Sequence, residues 1–171
     1  MLKIGLTGGI GSGKSTVAHL FSSAYNIPII DADIIAHQLV KPEQPALLSL
    51  KQLFGNSIFN NDNCLDRNKL RELVFSAPEK RKQLEQLLHP LIYQQMQLEF
   101  EQQSAAYCLL CIPLLMETSM VSFVDRILAI DCSVKKQIER VQARDNLSNE
   151  RVLSIINSQV TREYRLSHTD D

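Results

Sequence analysis

Four glycines, one lysine and two adjacent hydroxyl residues stand together in GGIGSGKST, residues 8–16. A backbone this bare beside a cation suits an anionic ligand. Residues without a Cβ let successive N–H groups curl around phosphate oxygens, and a following helix turns its positive end toward them. Two ligand classes compete. The dinucleotide fingerprint G-x-G-x-x-G fails, because counting on from Gly9 and Gly11 lands on Lys14. The triphosphate pattern G-x-x-x-x-G-K-S fits, from Gly8 through Gly13, Lys14 and Ser15. In that pattern Gly9, Gly11, Ser12 and Gly13 lie along the phosphates of ATP, and Lys14 reaches the β and γ phosphates. Ser15 offers its hydroxyl to Mg²⁺, and Thr16 sits near the α phosphate.

A bound triphosphate transfers its terminal group with little covalent help. Positioning, charge neutralisation and a group near the attacking hydroxyl suffice. Asp33, in YNIPIIDAD, is the candidate for the last role, either accepting a hydroxyl proton or binding Mg²⁺ through water. Asp31 is the weaker choice, being closer to a strand interior. Both have a plainer alternative, capping a helix that starts near Ile34. Arg140 and Arg144, in IERVQARD, lie four apart on one helix and would bring guanidinium groups to the phosphates as a lid. Their alternative is pairing with Glu139 or Asp145.

The elements that must position these residues alternate. Leu2–Thr7 reads as a strand before the glycines, and Val17, Ala18, Leu20 and Phe21 recur at helical intervals after them. A second strand, Ile27–Ile30, precedes the two carboxylates, and helices follow in IIAHQLV and PALLSLKQLFG. NSIFNNDN is loop-like, and LDRNKLRELVF sets Leu70, Leu73 and Val74 on one helical face. Ser76 and Glu79 have capping-box spacing, which predicts a long helix, broken at His89 and restarted at Pro90. YCLLCI and RILAID are nearly continuous apolar runs, as parallel strands covered on both faces require. From Val134 to Arg165 the pattern is helical. The fold class expected is α/β, a three-layer arrangement with a mainly parallel sheet, a helical insertion and a helical lid. One domain spans 1–171, with a core at about 1–55 and 106–135, an insertion at about 56–105 and a lid from about 136. Ligands then gather at the carboxyl ends of the strands, near the glycine loop, Asp31, Asp33 and PLLME.

Composition narrows the partners. With 171 residues and 44% hydrophobic, the chain has material for one core, burying roughly 70% of its unfolded surface. A net charge of −1 argues against a nucleic-acid track. No apolar run approaches the roughly 20 residues of a membrane span, and no signal sequence is expected, so a cytoplasmic location follows. Cys108 and Cys111 form one C-x-x-C, but three residues apart on a strand they point to opposite faces. Four free thiols suit a reducing compartment.

A triphosphate loop leaves the enzyme class open. GTPase motifs are missing: D-x-x-G is absent, and NKLR at Asn68–Arg71 lacks the required Asp. No second glycine-rich signature marks a transport ATPase, and helicases need more chain. A small-molecule kinase remains, beside the alternatives of a nucleoside or nucleotide kinase and of a non-catalytic ATP-binding regulator.

The chain also resembles the dephospho-coenzyme A kinase family. The likeness runs through LTGGIGSGKSTV, DADIIAHQLV, LDRNKLRELVF, LLHPLI, PLLME, RVQARD and QVTREYRL, in the family's order. It implies transfer of the ATP γ-phosphate, with Mg²⁺, to the ribose 3′-hydroxyl of dephospho-coenzyme A. It also implies Asp33 as the catalytic carboxylate, with Lys14 and Ser15 at phosphate and magnesium, and Arg140 and Arg144 as lid arginines. The helices around LDRNKLRELVF and LLHPLI correspond to the region receiving the acceptor, where His89 faces substrate or serves as an N-cap before Pro90. Glu117 orients a polar contact at the crevice or is solvated. Arg162 and Arg165 match a pattern near the nucleotide, with pairing to Glu163 as the ordinary alternative. The family pattern continues past SHTDD with an apolar strand, an Asn and a last helix. The resemblance therefore implies an open sheet edge within this sequence, which is shorter than the family.

Overall fold

The computed structural model describes residues 1–171, Ser119 by its backbone alone. The order is β1 (Leu2–Thr7), α1 (Lys14–Tyr25), β2 (Ile29–Asp31), α2 (Ala32–Leu39), α3 (Pro45–Phe54), α4 (Arg67–Ser76) and α5 (Pro78–Glu101). Then follow β3 (Tyr107–Cys111), β4 (Arg126–Ala129), α6 (Val134–Asp145), α7 (Asn149–Asn157) and α8 (Arg162–Ser167). Two compact units form, residues 1–32 with 102–171, and residues 33–101.

The first unit holds a parallel sheet in the order β2-β3-β1-β4. Leu6 of β1 is level with Cys111 of β3 and Leu128 of β4, and Ile30 of β2 with Leu110. Four of the five residues of β3 are buried, the mark of a strand covered on both faces. α1 lays Ala18 and Phe21 on a cluster with Leu6, Ile27, Leu109 and Cys111. Because the strands are parallel, the chain leaves β1, β3 and β4 at one end of the sheet, where the glycine loop, Pro113–Glu117 and Asp131 follow.

The far edge of β4, expected to be open, is the edge of the four-stranded sheet and is covered over part of its length. Asp170 and Asp171 lie along it: Ala129 N donates to Asp171 O at 2.8 Å, and Asp170 N to Ile127 O at 3.0 Å. Arg126 adds an ion pair with Asp171 at 2.8 Å.

The second unit is helical. Leu47, Leu50, Ile58 and Leu70 pack together with Leu73, Leu84, Leu87 and Leu88 at its centre. This is why 33–55, assigned to the core from sequence, belong with the helices: α3 buries Leu47 and Leu50 against α4 and α5.

Two local expectations are corrected. α5 runs unbroken through Pro90. A proline there costs about 3 kcal/mol of helix, but apolar contacts at Leu84, Leu87 and Leu88 before it and the buried Met96 after it hold both halves as helix. Nor is Ser76 a cap for α5. It ends α4, and its hydroxyl donates to Leu73 O. The stretch 134–165 divides into three helices, because Asn146 takes a left-handed conformation (φ 53°) and Ser148 and Thr161 cap new starts.

None of the four cysteines is in a disulfide, and Cys108 and Cys111 are buried. Among the described residues no helix is long and apolar enough to cross a membrane, and no three His, Cys, Asp or Glu gather as metal ligands.

Candidate functional site

The glycine loop joins the end of β1 to the start of α1, and Gly13 makes the turn at φ 102°. α4, α6, α7 and α8 each receive a side-chain cap, from Asp66, Ser133, Ser148 and Thr161. α1 has neither a side-chain cap nor an acidic residue in its first turn, so its positive end suits an external anion. Lys14 turns back over the loop and donates to Gly8 O at 2.7 Å and Gly9 O at 3.2 Å. The Ser12 hydroxyl is buried with no hydrogen-bond partner, an uncommon condition for a polar group. Ser15 and Thr16 are exposed.

The other side of the loop is gripped by α6 and by the link between α7 and α8. Gln137 Nε2 donates to Ile10 O at 2.7 Å, and Gln159 Oε1 accepts from Ile10 N at 3.0 Å. Arg140 Nη1 donates to Gly11 O at 3.2 Å and Ser12 O at 2.9 Å. This packing gives the glycines a second reason to be glycines. A Cβ on Gly8 would stand 2.4 Å from Ile130 O, and one on Gly9 would stand 2.3 Å from Gln137 Nε2. At Gly11 it would meet Gln137 O at 2.8 Å and Val141 Cγ2 at 2.9 Å.

The arginines differ in their partners. Arg140 holds the loop's own carbonyls. Arg144 forms a bidentate pair with Asp145 at 2.7 Å on the surface, the plainer of its two sequence alternatives. Arg162 pairs with Asp131 rather than Glu163, its Nε 3.0 and 2.9 Å from the two carboxylate oxygens. That hydrogen bond holds the Asp131 carboxyl below the usual carboxylate range, against the opposing effect of burial. Arg165 is buried, and its Nη2 donates to Val160 O at 3.1 Å. Glu117 is exposed but engaged: its Oε1 accepts from Val160 N at 3.0 Å, so it anchors the segment beside Gln159.

The remaining candidates sit elsewhere in the chain. Asp31 ends β2, level with Cys111, and Asp33 lies exposed in the first turn of α2. α2 starts at Ala32, two residues before the Ile34 start expected, so Asp33 is inside the helix and does not precede it. His89 is half-buried in the middle of α5, which removes its N-cap alternative.

Gln137 and Gln159 escape a search for charged or nucleophilic types. A signal for Gln137 exists all the same: it stands at i, i+3 and i+4 spacing with Arg140 and Val141, a polar residue on the buried stripe of α6.

The family model described as dephospho-CoA kinase matches residues 2–171. A dephospho-CoA kinase of Coxiella burnetii is 49% identical over 100% of this chain and 86% of its own length. One of Vibrio parahaemolyticus is 47% identical over 99% and 83%. Among solved structures, a protein of Thermus thermophilus superposes with a TM-score of 0.88 at 34% identity, covering 98% of this chain and 85% of that one. A shikimate kinase of Bacteroides thetaiotaomicron, at 13% identity and a TM-score of 0.50, shares the fold alone over 97% of this chain and 79% of its own. A glycine loop by itself is common to many nucleotide-binding proteins, but here the match extends over residues 2–171, and the chain belongs to the dephospho-CoA kinase family.

Proposed function

We propose that the chain transfers the γ-phosphoryl group of ATP to the ribose 3′-hydroxyl of dephospho-coenzyme A, giving coenzyme A and ADP. The observation that carries this reading is the GGIGSGKST loop with its lysine, within a chain of this family over its whole length. The loop suits a triphosphate: α1 offers an uncompensated positive end, Lys14 supplies a cation, and the buried Ser12 hydroxyl lacks a partner. Mg²⁺ takes hard oxygen donors and keeps much of its shell for phosphate and water, which suits the exposed Ser15 hydroxyl and Asp33 carboxylate. Bound together, nucleotide and ion present a phosphoryl group whose charge is partly neutralised.

The protein's own residues supply the rest. Lys14 exchanges its contacts to Gly8 O and Gly9 O for the β and γ phosphate oxygens, trading a dipole for a full charge. Asp33 accepts the proton of the acceptor hydroxyl or orders the ion through a water molecule. Arg140 keeps the loop in shape through Gly11 and Ser12 and adds positive charge beside it. Arg144 joins the nucleotide by leaving Asp145. His89 faces the acceptor from α5. Glu117 serves through Val160 rather than by touching the acceptor.

The test is a coupled ADP-release assay with ATP, Mg²⁺ and dephospho-coenzyme A, run beside nucleosides and nucleotides as acceptors. Turnover restricted to dephospho-coenzyme A supports the reading, and preference for a nucleoside replaces it. Background rates in the presence of tight ATP binding would mark a nucleotide-binding protein without transfer.

A further inference from the structure

The two peptide units that meet at the Ile10 Cα, in the middle of the loop, are each held by a carboxamide. The Ile10 N–H donates to Gln159 Oε1 at 3.0 Å, and the Ile10 C=O accepts from Gln137 Nε2 at 2.7 Å. A backbone N–H only donates and a C=O only accepts, so each carboxamide has one workable orientation. The converse holds for the two peptide units. Turning over Gly9–Ile10 would set its carbonyl against Gln159 Oε1, and turning over Ile10–Gly11 would set its N–H against Gln137 Nε2. Gln137 is 7% exposed, where an unbonded amide would be costly. The two glutamines reach the loop from separate parts of the chain, one from α6 and one from the link before α8. That link is itself tied, by Val160 N to Glu117 Oε1 and by Arg165 Nη2 to Val160 O.

We propose that Gln137 and Gln159 are positioning residues for the kinase reaction. Together they lock the orientations of the two peptide units that flank the Ile10 Cα, and so the shape of the loop that receives the triphosphate, while touching neither nucleotide nor acceptor. The inference rests on ATP binding at the loop. Gly9 belongs to the same device, since the Gln137 amide occupies the space its Cβ would fill.

The two glutamines use opposite ends of their amides, which gives an asymmetric test. Gln159→Glu keeps the acceptor for Ile10 N–H, Gln159→Leu removes it, and Gln137→Leu removes the donor to Ile10 C=O. In the full chain, hydrogen exchange of the Ile10 amide without nucleotide should quicken about tenfold in Gln159→Leu and stay near wild type in Gln159→Glu. Calorimetric titration should show ATP bound about tenfold more weakly in each Leu variant, with the KM for dephospho-coenzyme A within about twofold. The double variant should lose less than the product of the two, because the two bonds hold adjacent peptide units that share the Ile10 Cα. Equal Ile10 exchange in Gln159→Leu and wild type would overturn the proposal. So would ATP affinity unchanged in both Leu variants, or equal losses for both substrates. Should Gln137→Leu fail to fold, the two Gln159 variants still decide. Exchange and ATP titration need no turnover, so absent turnover in the wild-type chain would count against the functional reading alone.

Discussion

Lys14 binds two carbonyl oxygens of its own loop, and the proposed reaction asks it to bind phosphate instead. Charge-assisted hydrogen bonds are worth about 1.5–3 kcal/mol each, so Lys14→Ala should lower kcat/KM for ATP roughly 100-fold or more and weaken ATP binding with it. Asp33→Asn should separate the two quantities. Loss of a general base costs about 10²–10⁴ in rate, while ATP affinity by titration should hold within a few fold. A collapse of ATP binding along with the rate would make Asp33 a metal or structural residue. The glycines divide in the same manner. Gly9→Ala displaces only the end of the Gln137 side chain, and should weaken ATP binding as Gln137→Leu does while the fold survives. Gly11→Ala combines φ 71° with a Cβ 2.8 Å from the backbone of α6, which cannot swing aside. It should destabilise by about 2–4 kcal/mol in urea unfolding.

Helices and strands were legible from period and punctuation where local chemistry decided the outcome, and misread where packing did. β1, β3 and β4 follow directly from short apolar runs. Pro90 is the contrary case, because its local effect is real but smaller than the burial that keeps α5 helical on both sides of it. Pro90→Ala should therefore stabilise the chain by about 1–2 kcal/mol. The gain is the restored helix hydrogen bond and lost clash, less the extra freedom of the unfolded chain without proline. Thermal unfolding measures it, and an unchanged or lowered midpoint would mean that the ring itself is packed. The α6 stripe was half legible. Arg140 was found by charge, and Gln137 was passed over because an uncharged polar residue on a helix has no chemistry of its own to announce.

At the scale of the molecule, titratable groups tie stability to pH at both ends. Burial pushes the Cys108 thiol up to about 11. The unfolded chain then releases that proton first, so stability present at neutral pH should be lost as pH rises from the ordinary thiol range toward about 11. Native Cys108 should also react more slowly with thiol reagents at pH 8 than half-buried Cys64. Asp131 acts at the other end. The hydrogen bond from Arg162 lowers its pKa, so its contribution is present above the ordinary carboxylate range and disappears as pH falls through the folded value. Urea unfolding across pH should show both limbs, and Asp131→Asn should flatten the acid one. The division into two units was only partly legible for a related reason: α3 reads the same from sequence whichever core receives Leu47 and Leu50.

By itself the sequence determined the donor chemistry. Spacing between Gly8, Gly13, Lys14 and Ser15 excludes a dinucleotide and selects a triphosphate, because that recognition is backbone chemistry confined to nine consecutive residues. The order of DAD, LLHPLI, PLLME and RVQARD pointed to the family in the same way. Tertiary structure alone decided what holds the loop: Gln137 and Gln159 meet Ile10 from positions more than a hundred residues away, Arg140 grips loop carbonyls, and Arg144 stays on the surface with Asp145. No period or motif encodes those contacts. They depend on where α6 and the link before α8 come to rest against β1 and its loop, and on glycines whose missing Cβ atoms make room for that approach.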